Sequence, residues 1–476
     1  MTTIDGPSSA GHFPRDHLSL GEDDALAQPA NDGAQYLRRT RIGETSAQDT
    51  NFLSAAPRVR VLFVALSNDL GSERIISGMT RCGVECAVMS PPAYFCAKTA
   101  AAKRHFSIPD HHGIWLGTLF VRHRLEDAIR EWRPRLILPL DDISAWLLRS
   151  LAVNPTVRPA LRNLLVESLG APEGYSAAVN RQAFMDVATR LDVYKPAHCE
   201  DIDVETARAA AKTWGYPVVI KGEHTCGGKG IAFARDAMEL VALLPSRAAA
   251  RWPRRLQLSA KKSLFYLAGF GTGPVSGTML QSFVPGVPAF CTLAAWKGLV
   301  ISSACFAAEQ VYPTPSGAST VVRYIENDEM DRTSAAMTAA LGCSGFVSFD
   351  FMLDQKTNRA ALIEMNPRGV SSTHLGALFG RDICGAFAAK LSGEPRPAPQ
   401  PVQMATAVAL FPKELERDPN SPYLQSPYVM HDVPEDDPAL TKAYLRLLTA
   451  VHPAQANNFA RLAAKRLPGG ADYPHA

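Results

Sequence analysis

Asp350 and the run Ile363-Glu364-Met365-Asn366-Pro367-Arg368 contain the residue types that hold a divalent cation against phosphate. Residues 346–353 (FVSFDFML) are predicted as one strand and 359–366 (RAALIEMN) as the next, with the polar stretch 354–358 as the turn between them. A hairpin centred near Thr357 sets Asp350 directly opposite Glu364. Strand alternation puts Asn366 on the face of Glu364 and turns Phe349, Phe351, Leu353, Ile363 and Met365 the other way, into a core. Two carboxylates facing each other repel, and a cation between them removes that penalty. A few hard oxygen ligands with room left for phosphate oxygens suit Mg²⁺. An Asp and a Glu on a solvent-facing hairpin would read the same way, so the rest of the chain has to decide.

Upstream, residues 216–221 read as a strand ending in Lys221. The Gly-rich stretch 222–230 (GEHTCGGKG) follows, then a second strand at 231–234. This is not a Walker loop. Gly222 and Gly227 have the spacing, but Gly228 stands where the lysine is required, no Ser or Thr follows, and the loop leads into a strand. A glycine hairpin can still lay backbone N–H groups over a triphosphate. The alternative is an ordinary turn, against which Lys221 and Lys229 weigh. Residues 279–286 read as a strand ending in a Pro-Gly turn, followed by strands at 289–295 and 299–306 and a loop of small residues at 312–320. A helix at 328–341 then leads into the acidic hairpin, and 375–391 form another helix after it.

These elements need a scaffold. A chain of 476 residues implies two or three domains. Residues 1–57, rich in Ser, Ala, Gly, Asp and Pro, are predicted as a poorly ordered arm. The apolar run 58–66 (RVRVLFVAL), a helix at 73–82, strands at 84–89 and 135–140 and a helix at 120–132 imply a parallel α/β domain over 58–150. Asp141 and Asp142 fall at the C-terminal end of a strand, where such sheets bind ligands; capping of the next helix is the competing reading. Helices are expected at 181–190 and 203–214. The Pro-rich stretch 394–402 reads as a linker, with a tail of mixed character to 476.

Bulk composition narrows the function. The apolar fraction is 46%, the charged fraction 20% and the net charge +3, which does not point to nucleic acid or a membrane surface as partner. The basic segment 247–262 (Arg247, Arg251, Arg254, Arg255, Lys261, Lys262) reads as a solvated insertion rather than an anion site. Nine Cys without a CxxC pair fit reduced thiols; Cys82 and Cys86 lack the second ligand pair of a zinc site. No apolar run reaches the roughly 20 residues of a membrane span, and no secretory signal is visible, so a cytoplasmic protein is expected.

Taken in order, Lys221, the glycine loop 224–230, the segment 280–286, Asp350 and Glu364-Met365-Asn366-Pro367-Arg368 resemble the ATP-grasp superfamily, over roughly 170–390. The resemblance implies an α/β chain in which an N-terminal parallel α/β domain (58–150) precedes an ATP-grasp domain (151–394) whose two subdomains clamp ATP, with a linker and tail over 395–476. It also implies roles. Lys221 would contact the α- and β-phosphates, with Arg181 standing where many members have a second lysine. Thr225, Cys226, Gly227, Gly228 and Lys229 would close over the triphosphate. Gln281, Ser282, Phe283 and Val284 would hold adenine, although the acid that bonds ribose in many members is absent there. Asp350, Glu364 and Asn366 would bind Mg²⁺, with Mn²⁺ as the alternative ion. Arg368 and Lys229 would act on the transferring phosphoryl group, and Arg323 would clamp a substrate carboxylate. The implied activity is ATP-dependent C–N ligation, in which a carboxylate is activated as an acyl phosphate and captured by an amine. A bicarbonate-using carboxylase or carbamoyl-phosphate-type enzyme and a non-catalytic nucleotide-binding module are the other readings. The implied partners are small-molecule carboxylate and amine substrates, with a homodimer as the assembly common in the family, and no nucleic acid or membrane. Lone histidines such as His224 and His374 read as structural rather than substrate-binding.

Overall fold

The structure, a computed structural model, describes residues 58–109, 114–200, 203–222, 231–249, 278–397, 399–401 and 407–459. The N-terminal arm, the glycine loop and most of the basic segment lie outside the described residues.

Strands β1 (Arg60–Val64), β2 (Glu85–Ser90), β3 (Ala102–Ser107) and β4 (Leu136–Pro139) form a parallel sheet in the order β3-β2-β1-β4. The apolar runs of β1 and β4 are buried along their whole length save Arg60, as expected of strands covered on both faces. β3 (AKRHFS) is an edge strand with only Phe106 buried, and its charged sequence gives no strand signal.

A four-stranded sheet follows, built from β5 (His198–Glu200), β6 (Val218–Gly222), β7 (Ile231–Ala234) and β8 (Thr278–Ser282) in the order β5-β8-β6-β7. The remaining strands make a seven-stranded sheet. They are β9 (Val287–Trp296), β10 (Leu299–Tyr312), β11 (Ala318–Ile325), β12 (Gly345–Leu353), β13 (Ala360–Asn366), β14 (Ala407–Ala409) and β15 (Val429–His431), in the order β13-β12-β9-β10-β11-β14-β15. β10 and β11 extend into the stretch read as a loop of small residues, leaving only 313–317 between them.

Each face of the large sheet has its own core. On one face Phe290, Phe306, Val322 and Phe346 pack with Val61, Phe63, Val88 and Leu138 of the parallel sheet. On the other, Cys291, Leu293, Phe349, Phe351 and Leu362 pack against Phe184 and Met185 of the helix Arg181–Arg190 and Met330 and Met337 of the helix Asp328–Ala340. At the junction, Gly170 has φ +95° and pairs with Cys343, and a Cβ there would meet the Gly342 carbonyl oxygen at 2.0 Å.

Within the segment read as a linker and tail, residues 407–459 are integrated into the fold. β14 and β15 extend the large sheet, and Tyr444 of the helix Pro438–Val451 packs against Phe95 and Phe411. Asp437 caps that helix and also accepts from Thr99 and the Ala100 N–H. Arg74 bonds both the carboxylate and the carbonyl of Asp432, and His374 Nε2 lies 2.9 Å from the same carboxylate. His374 is therefore a buried structural residue, as its sequence reading anticipated.

That triad has a pH signature. Burial holds the His374 imidazole below its ordinary pKa, with Arg74 and Arg81 acting in the same sense and Asp432 against them. An unfolded chain protonates this histidine near pH 6.5, where the folded chain does not. Its contribution is complete above that value and is lost as pH falls. The buried acids Glu73 and Asp141 and the half-buried Asp350 titrate in the opposite sense, their pKa values raised to about 7 chiefly by desolvation. The contribution of His374 is therefore visible in a comparison. His374→Gln is expected to lose stability less steeply than the parent between about pH 7 and 5, followed by thermal melting. Parallel curves would contradict the assignment.

Candidate active site

The acidic hairpin forms in the expected register: Asp350 pairs with Glu364, Ser348 with Asn366 and Phe349 with Met365. One detail differs. A β-bulge lies between Asp350 and Phe351, whose partners are Glu364 and Leu362, and Ile363 is the extra residue. Leu362, not Ile363, is therefore the β13 residue fully buried in the core beside Phe351. The bulge is also what lets the two acids face each other while the lower rungs keep regular pairing.

Asp350 and Glu364 are held differently. Asp350 accepts from Asn366 Nδ2 at 3.0 Å. Burial and the neighbouring Glu364 carboxylate push its pKa up to about 7, against the pull of Asn366, Arg368 and Lys221. Burial acts on Glu364 as well, but Arg181 and Lys221 outweigh it and hold this carboxyl below its usual range. Arg181, the first residue of its helix, donates to Glu364 Oε2 from Nε at 3.3 Å and Nη2 at 3.1 Å. Asn180 caps the helix through the Ala183 N–H, which fixes where Arg181 starts.

Lys221 closes the other side of the site. It stands near the end of β6, only 5% exposed, and burial pulls its ammonium down to about 8 despite Glu364 and Asp350 nearby. A buried lysine facing two acids is a positive group preorganised for an anion.

Arg368 sits just past β13. Its Nε and Nη2 donate to the two oxygens of Asp142 at 2.8 and 3.0 Å, a bidentate clasp, with Asp69 Oδ2 at 3.9 Å. Asp142 outweighs burial and holds this guanidinium above even its ordinary range. Arg149, buried, donates to the Pro367 carbonyl at 3.3 Å and anchors the turn that carries Arg368. Of the two readings of the Asp141-Asp142 pair, capping holds for Asp141, while Asp142 pairs with Arg368. Asp141 caps the helix Asp142–Val153 through Ser144 and also accepts from the Leu66 N–H, while Asp142 reaches into the site.

The segment 281–284 is divided. Gln281 is buried in β8, and Ser282 is tied to Ala197 through both its backbone and its hydroxyl. Phe283, beyond the strand, is 41% exposed and lies edge-on to Phe233 of β7, leaving an uncovered aromatic face beside the sheet. Thr225, Cys226, Gly227, Gly228, Lys229 and His224 lie outside the described residues.

Arg323 does not join this constellation. Its strand partners run Arg323–Ala307–Ala289–Phe351, whereas those of Asp350 run through Phe290 and Phe306 to Tyr324. Arg323 thus points to the opposite face of the large sheet, where it pairs with Glu309 at 2.6 Å. Positions that spacing did not single out lie near Arg368 instead. Lys413 donates to Ser371 Oγ at 2.9 Å and interacts electrostatically with Asp69, Glu73 and Arg368. Asp69 lies in the β1 loop and Lys413 in the tail, and neither segment carries a local motif.

The facing acid pair, the buried lysine and the clasped arginine stand together between two sheets, the arrangement that the resemblance to the ATP-grasp superfamily implies, and comparison with known proteins shows what the chain is similar to. Residues 180–253 match the family described as the carbamoyl-phosphate synthase L chain, ATP binding domain. Among curated proteins, the arginine-specific large chain of carbamoyl phosphate synthase from Lactiplantibacillus plantarum is 26% identical over 261 residues, 52% of this chain and 23% of that one. The large chain from Methanoculleus marisnigri is 33% identical over 70 residues, 15% of this chain and 7% of that one. This chain thus spans about a quarter or less of the length of those relatives. Among solved structures, a biotin carboxylase from Campylobacter jejuni in a β,γ-ATP complex superposes with TM-score 0.50 at 15% identity, over 71% of this chain and 72% of that one. The resemblance to the ATP-grasp superfamily and the α/β fold class are borne out. Among the described residues, no helix is long and apolar enough to cross a membrane.

Proposed function

We propose that this chain is an ATP-dependent ligase that activates a small carboxylic acid as an acyl phosphate for capture by an amine, releasing ADP and phosphate. The observation that carries this reading is the facing pair Asp350–Glu364, with Lys221 and Arg181 beside it and Arg368 held at its end by Asp142.

Asp350, Glu364 and Asn366 fit Mg²⁺, since their donor set is hard oxygen and Asp350 is strained toward neutrality by burial beside a second acid. When bound, the ion supplies charge neutralisation across the phosphate oxygens. Lys221 binds the phosphates, and Arg181 exchanges its contact with Glu364 for one with the nucleotide. Phe283 and Val284 border the base. In the first half-reaction a substrate carboxylate oxygen bonds to the γ-phosphorus as the bond from that phosphorus to the β–γ bridging oxygen breaks, and ADP leaves. In the second the amine bonds to the acyl carbon, phosphate leaves and the amine's proton is lost. Arg368 lies where charge develops on the transferred group, preorganised by Asp142.

Bicarbonate as the activated acid is the second reading, favoured by the carbamoyl phosphate synthase relatives. One experiment separates them: purified protein, ATP and Mg²⁺ with a panel of acids and amines, followed by phosphate release. Release that needs both an amino or carboxylic acid and an amine supports ligation. Release with bicarbonate alone supports the second reading. ATP binding without release across the panel contradicts both.

A further inference from the structure

On the face of the large sheet turned away from Asp350, Cys291 of β9 and Cys305 of β10 are direct cross-strand partners, and Asp331 of the helix Asp328–Ala340 stands over them. Asp331 Oδ1 lies 3.8 Å from Cys291 Sγ and 3.7 Å from Cys305 Sγ, and all three donor atoms fall within 4.8 Å of one another. A tetrahedral ion with bonds of about 2.3 Å to sulfur and about 2.0 Å to oxygen sets S···O edges of roughly 3.5 Å. Both S···O distances already stand within a few tenths of an ångström of those edges. Ser303 Oγ, 2.8 Å from the same carboxylate oxygen, offers a further polar group. A cavity of about 140 Å³, lined in part by Ser303, Cys305, Tyr324, Asp331 and Arg381, opens onto the Cys305 and Asp331 side of the cluster. It gives an ion an entry path and room for a water as fourth ligand.

The donors come from a hairpin rung and a helix, fourteen residues apart for the two cysteines, so no spacing motif announces them. The two thiols are 0% and 2% exposed, while Asp331 is exposed. Two buried thiols sharing one carboxylate oxygen make an arrangement that ordinary core packing does not need. Soft sulfur with one carboxylate selects a borderline-soft ion over Mg²⁺ or Ca²⁺. The cavity wall also carries Arg381 and the acids Glu326 and Asp328, so the surroundings of the cluster keep a negative balance that suits a cation.

We propose that Cys291, Cys305 and Asp331 bind a divalent cation of the Zn²⁺ class and clip the helix Asp328–Ala340 to the β9–β10 ribbon. Binding replaces two S–H bonds by two metal–sulfur bonds and releases two protons per ion. No electron transfer is involved.

The test uses the full chain, reduced and stripped of metal, titrated with Co²⁺ and then Zn²⁺. The expected result is a thiolate-to-cobalt charge-transfer band at one ion per chain, displaced by Zn²⁺, with two protons released and a higher melting temperature in Zn²⁺. Cys305→Ser should abolish the band. Asp331→Asn, an exposed change that leaves the core intact, should weaken Co²⁺ binding at least about tenfold and remove the Zn²⁺-dependent melting shift. The inference is overturned by the absence of a cobalt–thiolate band in the parent, or by a band and melting shift that persist unchanged in Asp331→Asn, which would place the ion on other cysteines. If Cys305→Ser does not fold, Asp331→Asn and the proton count decide alone.

Discussion

Replacing Glu364 with Gln is expected to lower ATP-dependent phosphate release at least about a hundredfold while leaving the fold intact. The side chain keeps its size and loses its charge. It thereby loses its strongest tie to a cation and the partner of Arg181 and Lys221. Charge neutralisation at such a site contributes several kcal/mol, and about 1.4 kcal/mol is a factor of ten in rate. The fold should survive because Glu364 sits on the half-open side of β13, outside both cores. Removing it also relieves the repulsion on Asp350. Steady-state phosphate release and circular dichroism on the same preparation check both halves. Parent-like turnover in a folded variant would refute the metal-site assignment, and Asp350→Asn provides an independent second reading.

Arg368→Lys is expected to reduce kcat by about two orders of magnitude with the KM for ATP changed only a few-fold. The guanidinium is held by two nearly equal bonds to the two oxygens of Asp142, a geometry an ammonium cannot reproduce. A lysine keeps the charge but not the direction, and stabilisation of developing charge depends on direction. A group that merely binds nucleotide would instead move KM. Asp142→Asn should follow the same pattern more weakly, because it loosens the clasp without removing the cation. Unchanged kcat in Arg368→Lys would remove Arg368 from the chemistry.

The fold was legible where local signals agree. The helix Arg181–Arg190 matches its expected bounds because Asn180 supplies a cap before an amphipathic run. The acidic hairpin appeared from a turn and a period of two. Edges were not legible. β3 is charged and one-sided, and β14 has three residues, so neither shows a pattern without its neighbours. The helix expected over 375–391 is instead a 3-10 turn, Thr373–Phe379, and a helix, Ile383–Ser392. They are separated by Gly380 at φ +75° and restarted by the Asp382 cap. In the site, the placement of Asp350, Glu364 and Asn366 followed from counting along two strands. That of Arg323 required the register through three more, and that of Asp69, Asp142 and Lys413 depended on packing between distant segments. Two ligands 14 residues apart on a ribbon escape any motif for the same reason.

The three residues of β14 have a consequence for how this chain can be handled. They hydrogen-bond to the outer side of β11, whose Val321 and Val322 are completely buried, and β15 lies beyond them. A fragment ending at residue 394, with the acid pair, Lys221 and Arg368 all present, would leave that side of β11 unpaired. It would then be a template for a second copy to zip onto. Such a fragment should self-associate, although every residue of the acid pair and its basic neighbours is still there.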